Sequence, residues 1–510
     1  MINNLRKYAM LAVLVLLASG IGRKTAIAAD SGFTPDFDKM DTYIKEEMKQ
    51  CRIPGFALGI VKGDDIIYLK GYGKADTTGR QVTPQTPFLI ASLSKSFTAT
   101  AIMQLVEQQK IELDKPVITY VPWFKLSDPN SSSSITIRQL LNHTSGIGTN
   151  AEFEVASLRG DDTTIDQLVK RMSKIKLTGK AGERFQYNNA NYIILGEVIQ
   201  SVTGLSYEEY IMENIFEPLG MEHSFTELEN AERDGLAVGY RPVFGFPVPA
   251  ELPYRKDFLP AYSIISSAED LSKYVIALSN NGKYKNAQIL SEQGIHEMLQ
   301  PSSKVSKWED YGFGWYITSG SIYHGGEVIN YQSKIKMLPE DELGVILIYN
   351  TSSAAITSLF KVGYRDRIES GIISILYGEA PDKVQPGTGI LDLNHYPVIV
   401  TYTIYLALGI LIVILLAISA VRLKFYRKRI NSNKRNFVLN LIHTAAVHIA
   451  LPVYILFAIP GIANAPWGHV LYIMPDIGYF SLVMSMLLLV IGFIKLYYFI
   501  QYFNGRHKTL

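Results

Sequence analysis

Three long apolar segments close this 510-residue chain and divide it before any other feature is read. Residues 398–421 and 437–460 each run for 24 residues without Asp, Glu, Lys or Arg. Residues 478–494 add 17 more, followed by Lys495 and a further apolar stretch at 496–500. About 20 apolar residues carry a helix across the hydrocarbon core of a bilayer, so each segment is read as a transmembrane helix and the lipid bilayer as a partner. The loop after the first segment holds Arg422, Lys424, Arg427, Lys428, Arg429, Lys434 and Arg435 with no acid, whereas 461–477 carries only Asp476. The positive-inside rule then places that loop and the C-terminus in the cytoplasm and everything before residue 398 outside. The N-terminus agrees: Arg6 and Lys7 precede an apolar run at 9–20 and an Ala26-Ile27-Ala28 cleavage site, a signal peptide over 1–28. Arg23 and Lys24 between run and site leave an uncleaved anchor open. Lys495 is expected to snorkel toward the nearer interface. His443 and His448, five apart, are expected on different helix faces, suited to packing or interhelical hydrogen bonds rather than to a metal.

The region 30–385 between signal and membrane segments is then one extracytoplasmic domain, with 386–397 as linker and 398–510 as the membrane part. Lys plus Arg exceed Asp plus Glu by 49 − 47 = 2, which gives no bulk charge for nucleic acid. Cys51 is the single cysteine, excluding an intrachain disulfide and a cysteine-cluster metal site. Alternating apolar patterns predict a hairpin, 55–61 and 66–73 around a turn at 62–65, and late strands at 314–319, 333–338 and 343–349, with a turn at 339–342. Helices are predicted at 94–109, 191–203 and 268–280, and a surface loop at 131–134. Strands at both ends with helices between imply an α/β domain, one sheet built from both termini with a helical lobe inserted.

The chemistry concentrates in Ser92-Leu93-Ser94-Lys95, at the start of the helix marked by Leu93, Phe97, Ile102 and Leu105. An i, i+3 spacing puts Ser92 and Lys95 one turn apart on one face. A serine hydroxyl is a weak nucleophile at neutral pH and needs an adjacent base. A lysine serves as that base when burial and positive potential lower its pKa, and a helix N-terminus supplies both potential and free N–H groups. Taken alone, a Ser-x-x-Lys spacing is common by chance, and a plain helix cap at Ser92 is the commoner meaning.

Further motifs follow in order: Leu140-Leu141-Asn142-His143-Thr144-Ser145-Gly146, Tyr187-Asn188-Asn189, Pro218-Leu219-Gly220-Met221 and His324-Gly325-Gly326. As a set these resemble the serine β-lactamase and penicillin-binding-protein superfamily over about residues 35–375, in the class C-like branch with a Y-x-N second motif. The resemblance implies an antiparallel sheet flanked by helices plus a helical lobe. It implies a serine hydrolase in which Ser92 is acylated, Lys95 takes its proton and Tyr187 relays a proton to the leaving group. Asn189 contacts substrate, the N–H groups of Ser92 and Glu327 form an oxyanion hole, and no metal or organic cofactor is needed. The third motif departs from K-T-G. His324 replaces a permanent cation by an imidazole, which disfavours recognition of the carboxylate of penicillins and D-Ala-D-Ala ends. Gly325 and Gly326 let a substrate backbone lie against the strand. His143 is read as ordering a loop.

An export signal, an outer catalytic domain and three C-terminal spans resemble the membrane-bound prodrug-activating D-asparaginyl peptidases of colibactin- and zwittermicin-type pathways. Residues 324–331 and 239–245 resemble the same subgroup. That likeness implies hydrolysis of the amide after an N-acyl-D-asparagine, freeing a nonribosomal product on the outer side of a bacterial cytoplasmic membrane. The partners are then an acylated peptide prodrug and the bilayer, with an exporter or a second copy of the chain as further candidates. Asn189 and Asn330 are candidates to read the asparagine amide. Two other classes stay open: a cell-wall D,D-peptidase, D-aminopeptidase or penicillin-binding protein, and a non-catalytic sensor or transporter partner.

Overall fold

The computed structural model describes residues 35–149, 151, 155, 164–243, 246–250, 254–352 and 364–381. In the C-terminal part it describes scattered positions from 406 to 421, then 434–463, 467–473 and 475–506. The expected signal segment, the linker and most of the first apolar segment lie outside these residues.

The predicted hairpin is present as β1 (Gly55–Lys62) and β2 (Asp65–Gly73), turning at Gly63 with φ 56°. It follows α1 (Phe37–Cys51), whose N-terminus is capped by the Asp36 carboxylate accepting from the Lys39 N–H at 2.9 Å. The chain returns to this sheet only near the end of the domain. The late strands are β3 (Ser303–Lys304), β4 (Asp310–Tyr311), β5 (Tyr316–Ile317), β6 (Ile322–Val328), β7 (Tyr331–Leu338) and β8 (Leu343–Tyr349). They form one antiparallel sheet in the order β2-β1-β8-β7-β6-β5-β4-β3, with Phe56 opposite Tyr349. Both ends of this domain thus build one sheet, as the strand distribution implied.

Alternation sorts the side chains onto two buried faces. Phe56, Leu58 and Ile60 of β1 and Val345, Leu347 and Tyr349 of β8 pack with Met40 and Ile44 of α1 and with Ile368 and Ile372 of α5 (Tyr364–Leu376). Ala57, Ile335, Ile346 and Ile348 face the helical lobe. That lobe contains α2 (Ser94–Glu107), α3 (Asn189–Thr203) and α4 (Ala268–Ser279). Gly59 lets α4 lie on the sheet, because a Cβ there would meet Ser272 Oγ at 2.4 Å.

Two local expectations change. Residues 129–132 form a short helical turn capped by Asp128, with Ser132 buried, in place of a surface loop at 131–134. The strand expected at 314–319 shrinks to Tyr316–Ile317. Gly314 adopts φ 79° against Lys95 O, and the chain turns back between Thr318 N and Ser321 O at 2.9 Å.

Two C-terminal helical stretches, Val438–Gly461 and Gly478–Gln501, are long and apolar enough to cross a membrane. The third expected span, 398–421, falls largely outside the described residues. The first of the two carries a five-residue π turn, Ala446–Ala450. This wider turn bonds i to i+5, so the His443 and His448 rings lie 5.3 Å apart instead of on different faces. Lys495 is buried and reaches His448 Nε2 at 3.1 Å, rather than extending toward an interface.

Candidate active site

Ser92 lies in a single 3₁₀ turn, Ala91–Leu93, just ahead of α2 rather than within its first turn. Ala91 takes the left-handed conformation at φ 50°, which a side chain tolerates only when its surroundings impose it. Those surroundings are specific. Ile90 N–H donates to Ile264 O at 3.0 Å, Ser333 Oγ donates to Ile90 O at 2.5 Å, and Ser94 Oγ donates to Ala91 O at 2.7 Å. The turn is clamped between β7 and the segment before α4, and Ser92 is left half-buried at its apex.

Lys95 sits in the first turn of α2 and is fully buried. Its Nζ lies 3.2 Å from Ser92 Oγ, 2.5 Å from Asn189 Oδ1 and 2.8 Å from Ala261 O. These three atoms are all neutral oxygens. As an ammonium, Nζ donates to all three. As a free amine with two N–H bonds, it satisfies the two carbonyl oxygens and turns its lone pair to the Ser92 hydroxyl. Asn189 opens α3, and the preceding Asn188 caps that helix by accepting from the Ala190 N–H at 2.8 Å.

Tyr187 covers this pair. Lys95 Nζ lies 4.8 Å from the centre of its ring. The Tyr187 ring also meets His143 at 4.4 Å between centroids, and Tyr311 and His324 lie 6.5 and 6.2 Å away. His143 is fully buried in a left-handed backbone, φ 59°. Its Nδ1 faces two donors, the Asn188 N–H at 3.3 Å and Asn191 Nδ2 at 2.9 Å. Burial, then the neighbouring Lys95 and His324, push its pKa well below the ordinary histidine value, and the two donors facing Nδ1 leave the ring proton to Nε2.

The third motif runs along β6, paired with β7 on one side. On its other side β5 reaches only as far as Tyr316 opposite Tyr323, so among the described strands none covers Gly325–Val328 there. Gly326 packs against the Ser92 turn: a Cβ would stand 2.2 Å from Ile90 O and 3.0 Å from Ala91 Cβ. Glu327 is exposed, and its carboxylate accepts from Gln332 Nε2 at 2.8 Å. His324 is buried, with Nε2 3.3 Å from the Tyr311 hydroxyl and Nδ1 2.8 Å from Gly325 O. Asn330 is also buried; it donates through Nδ2 to Ala250 O at 2.6 Å, and its Oδ1 has no hydrogen-bond partner among the described residues. Ser92, Lys95, Tyr187 and Asn189 therefore converge directly, and Gly326 backs the turn that holds them. His324 joins the same aromatic cluster from beneath, while Asn330 engages the loop at Ala250.

Three participants escaped sequence reasoning. Ala261 contributes only its carbonyl, Ser333 braces the turn from a strand, and Tyr311 sits on a two-residue strand that no periodicity announces. No group of three or more His, Cys, Asp or Glu suited to a metal occurs among the described residues.

The model of the beta-lactamase family matches residues 40–356. The chain belongs to the beta-lactamase family. Protein flp of Staphylococcus aureus strain MW2 is 30% identical over 325 residues, 63% of this chain and 64% of Flp, so the match spans less than two thirds of Flp's length. The putative penicillin-binding protein PbpX of Bacillus subtilis is 31% identical over 313 residues, covering 61% of this chain and 74% of PbpX. The octameric penicillin-binding protein homologue from Pyrococcus abyssi is 32% identical with a TM-score of 0.59, covering 68% of this chain and 79% of that one. FmtA from Staphylococcus aureus, at 24% identity and TM-score 0.55, shares the fold; the match covers 66% of this chain and 89% of FmtA. The superfamily to which this beta-lactamase-family chain belongs consists of serine hydrolases related to penicillin-binding proteins.

Proposed function

We propose that this chain hydrolyses an amide or ester through an acyl-enzyme on Ser92. The observation that carries the reading is Lys95 Nζ at 3.2 Å from Ser92 Oγ with its other two named partners neutral carbonyl oxygens. The free amine of Lys95 takes the hydroxyl proton as Ser92 Oγ adds to the substrate carbonyl. The Ser92 and Glu327 N–H groups receive the oxyanion, each donor worth on the order of 10²–10³ in rate. Tyr187 passes its phenol proton to the departing amine or alcohol and is reprotonated from the Lys95 ammonium, which returns Lys95 to the free amine. Water then adds to the acyl-enzyme carbonyl, Lys95 takes a water proton, and that proton goes to Ser92 Oγ as the acyl bond breaks.

For the substrate, we propose an N-acyl-D-asparaginyl prodrug met at the outer surface of the cytoplasmic membrane, with the domain outside and the C-terminus inside. An acyl chain partitions into lipid at about 0.8 kcal/mol per buried CH₂, which suits an enzyme with apolar helices long enough to span. Asn330 is the proposed reader of the substrate amide: its Oδ1 is buried beside the Ala250 loop with no hydrogen-bond partner among the described residues. A site built around such a pairing rejects substrates that lack it. The likeness to PbpX and to the Pyrococcus homologue favours a second reading, a cell-wall D,D-peptidase or D-aminopeptidase. The octameric state of the latter makes self-association the first assembly to examine.

The test uses membranes carrying the wild type or Ser92→Ala, offered N-myristoyl-D-Asn amide, its L-Asn isomer and an acyl-D-Ala-D-Ala peptide, with release followed by mass spectrometry. Ser92-dependent release from the D-Asn substrate alone supports the prodrug reading. Release from the D-Ala peptide moves the assignment to the cell wall, and equal behaviour of wild type and Ser92→Ala on every substrate removes catalysis.

A further inference from the structure

The Leu140–Gly146 motif has no place in the mechanism above, yet one of its residues holds the Tyr187 segment by three contacts. The His143 carbonyl accepts from the Gln186 N–H at 2.8 Å. Its Nδ1 accepts from the Asn188 N–H at 3.3 Å. Its ring lies against the Tyr187 ring, 4.4 Å between centroids and tilted 35°. The Phe185–Gln186 and Tyr187–Asn188 peptides, one on each side of the Gln186–Tyr187 link, are therefore both held by one residue, through its carbonyl and its side chain. A left-handed backbone at φ 59° is what points the carbonyl and the imidazole of one residue at the same segment. That conformation is unfavourable for a β-substituted residue, so the surrounding structure must enforce it.

The acceptor at Nδ1 is itself oriented. Ser145 Oγ donates to Asn191 Oδ1 at 2.6 Å, which turns Asn191 Nδ2 onto His143 Nδ1 at 2.9 Å. A residue that merely ordered its loop would need the carbonyl contact and apolar bulk. It would not need a lone pair aimed at the Tyr187–Asn188 peptide or a ring beneath the Tyr187 phenol.

We propose that His143 is a positioning residue for Tyr187: through Nδ1 and its ring it sets the angle from which the Tyr187 hydroxyl delivers a proton to the leaving group. The proposal rests on the reading of Tyr187 as proton relay. It assigns the buried histidine a role in leaving-group chemistry rather than in substrate affinity.

Two esters of one acid separate that role from a structural one. p-Nitrophenyl butyrate expels a stable anion that needs no proton, whereas ethyl butyrate expels an alkoxide that does. A general acid contributes about 10²–10⁴ in rate where a proton is required. With the full-length protein in detergent, Tyr187→Phe and His143→Leu should each lower kcat/KM for ethyl butyrate by about 10²-fold and for the nitrophenyl ester by only a few-fold. The double variant should be no worse than the poorer single. His143→Asn, whose amide oxygen can stand where Nδ1 stands, should restore ethyl butyrate turnover to within a few-fold of wild type; His143→Gln, which places its oxygen at the other end of the ring, should not. That Asn-versus-Gln contrast also serves if His143→Leu fails to fold. Equal losses of His143→Leu on both esters while Tyr187→Phe keeps its ester dependence, or multiplicative losses in the double variant, would overturn the positioning role while leaving the Tyr187 assignment intact. A Tyr187→Phe variant with wild-type turnover of ethyl butyrate, or a wild type inert on both esters, would overturn the underlying reading and this proposal with it.

Discussion

Replacing Gly326 by alanine adds one methyl group where the sheet touches the nucleophile turn, and the structure sets how far things must move. The new Cβ would stand 2.2 Å from Ile90 O, 2.4 Å from Ser333 Oγ and 3.0 Å from Ala91 Cβ, against ordinary contact beginning near 3.4 Å. The Ser333 hydroxyl can rotate away, at the loss of its bond to Ile90 O. The Ile90 carbonyl is backbone, so β6 and the Ser92 turn must separate by about 1.2 Å, the difference 3.4 − 2.2. Overpacking of this kind costs about 1–3 kcal/mol, a fall in Tm of about 2–12 °C at roughly 2–4 °C per kcal/mol. A displacement of about 1 Å between reacting groups lowers rate on the order of 10²-fold. The control is Gly320→Ala, where no atom lies within 4 Å of the added carbon. Thermal melts and kcat/KM on p-nitrophenyl butyrate read both quantities. If Gly326→Ala keeps the wild-type Tm and turnover, the strand does not brace the turn and the argument fails.

Further expectations follow from other parts of the molecule. Asn189→Leu removes the acceptor 2.5 Å from Lys95 Nζ; acylation of Ser92 by a fluorophosphonate probe should slow by 10-fold or more with little change in Tm. Burial, opposed by the bond from Gln200, pushes the Glu197 carboxyl up to about 7. The folded state therefore holds its proton more tightly than the unfolded chain, and stability falls as pH rises from about 4.5 through 7. Glu197→Gln should raise Tm at pH 8 more than at pH 5, and an equal shift at both would contradict the assignment. Burial, opposed by Arg367, pushes the Cys51 thiol up to about 12, so it should resist thiol reagents in the native protein and react once unfolded. In detergent, His448→Leu and Lys495→Met should each lower Tm, with the double variant less destabilised than their sum; strict additivity would deny the coupling between the two helices.

Sequence patterns gave the architecture wherever periodicity was strong. The hairpin at 55–73, the helices beginning near residues 94, 191 and 268, and the return of the last strands to the first all follow from spacing and turn residues. What stayed hidden had no local signature. Ala91 takes a positive φ because Ile264, Ser333 and Ser94 hold its neighbours, and nothing in Ile90-Ala91-Ser92 announces it. The strands Ser303–Lys304 and Asp310–Tyr311 are too short to show a period, so Tyr311 could not be placed beneath His324. The π turn at Ala446–Ala450 reverses the spacing argument for His443 and His448, since an ideal helix was assumed where the real one widens. Carbonyl partners such as Ala261 O are invisible to any reading of side chains.

The seam between β1 and β8 also governs how the domain comes into being. Phe56 and Tyr349 are neighbours separated by 293 residues, the difference 349 − 56. Closing a loop of that length carries an entropy term of about 5 kcal/mol, from (3/2)RT ln n. It can be met only once the last strand exists. At roughly 5–20 residues per second, synthesis leaves β1 with a bare apolar edge for about 15–60 s. Beside that edge Phe56, Leu58 and Ile60 lack Val345 and Leu347, the neighbours they pack with in the folded domain. An open edge of this kind is a template for pairing with other chains, and the high contact order makes the closing step slow. A chain truncated before Leu343 therefore ends as aggregate rather than as a smaller working enzyme, and expression of the intact domain depends on keeping nascent copies apart until the final strand arrives.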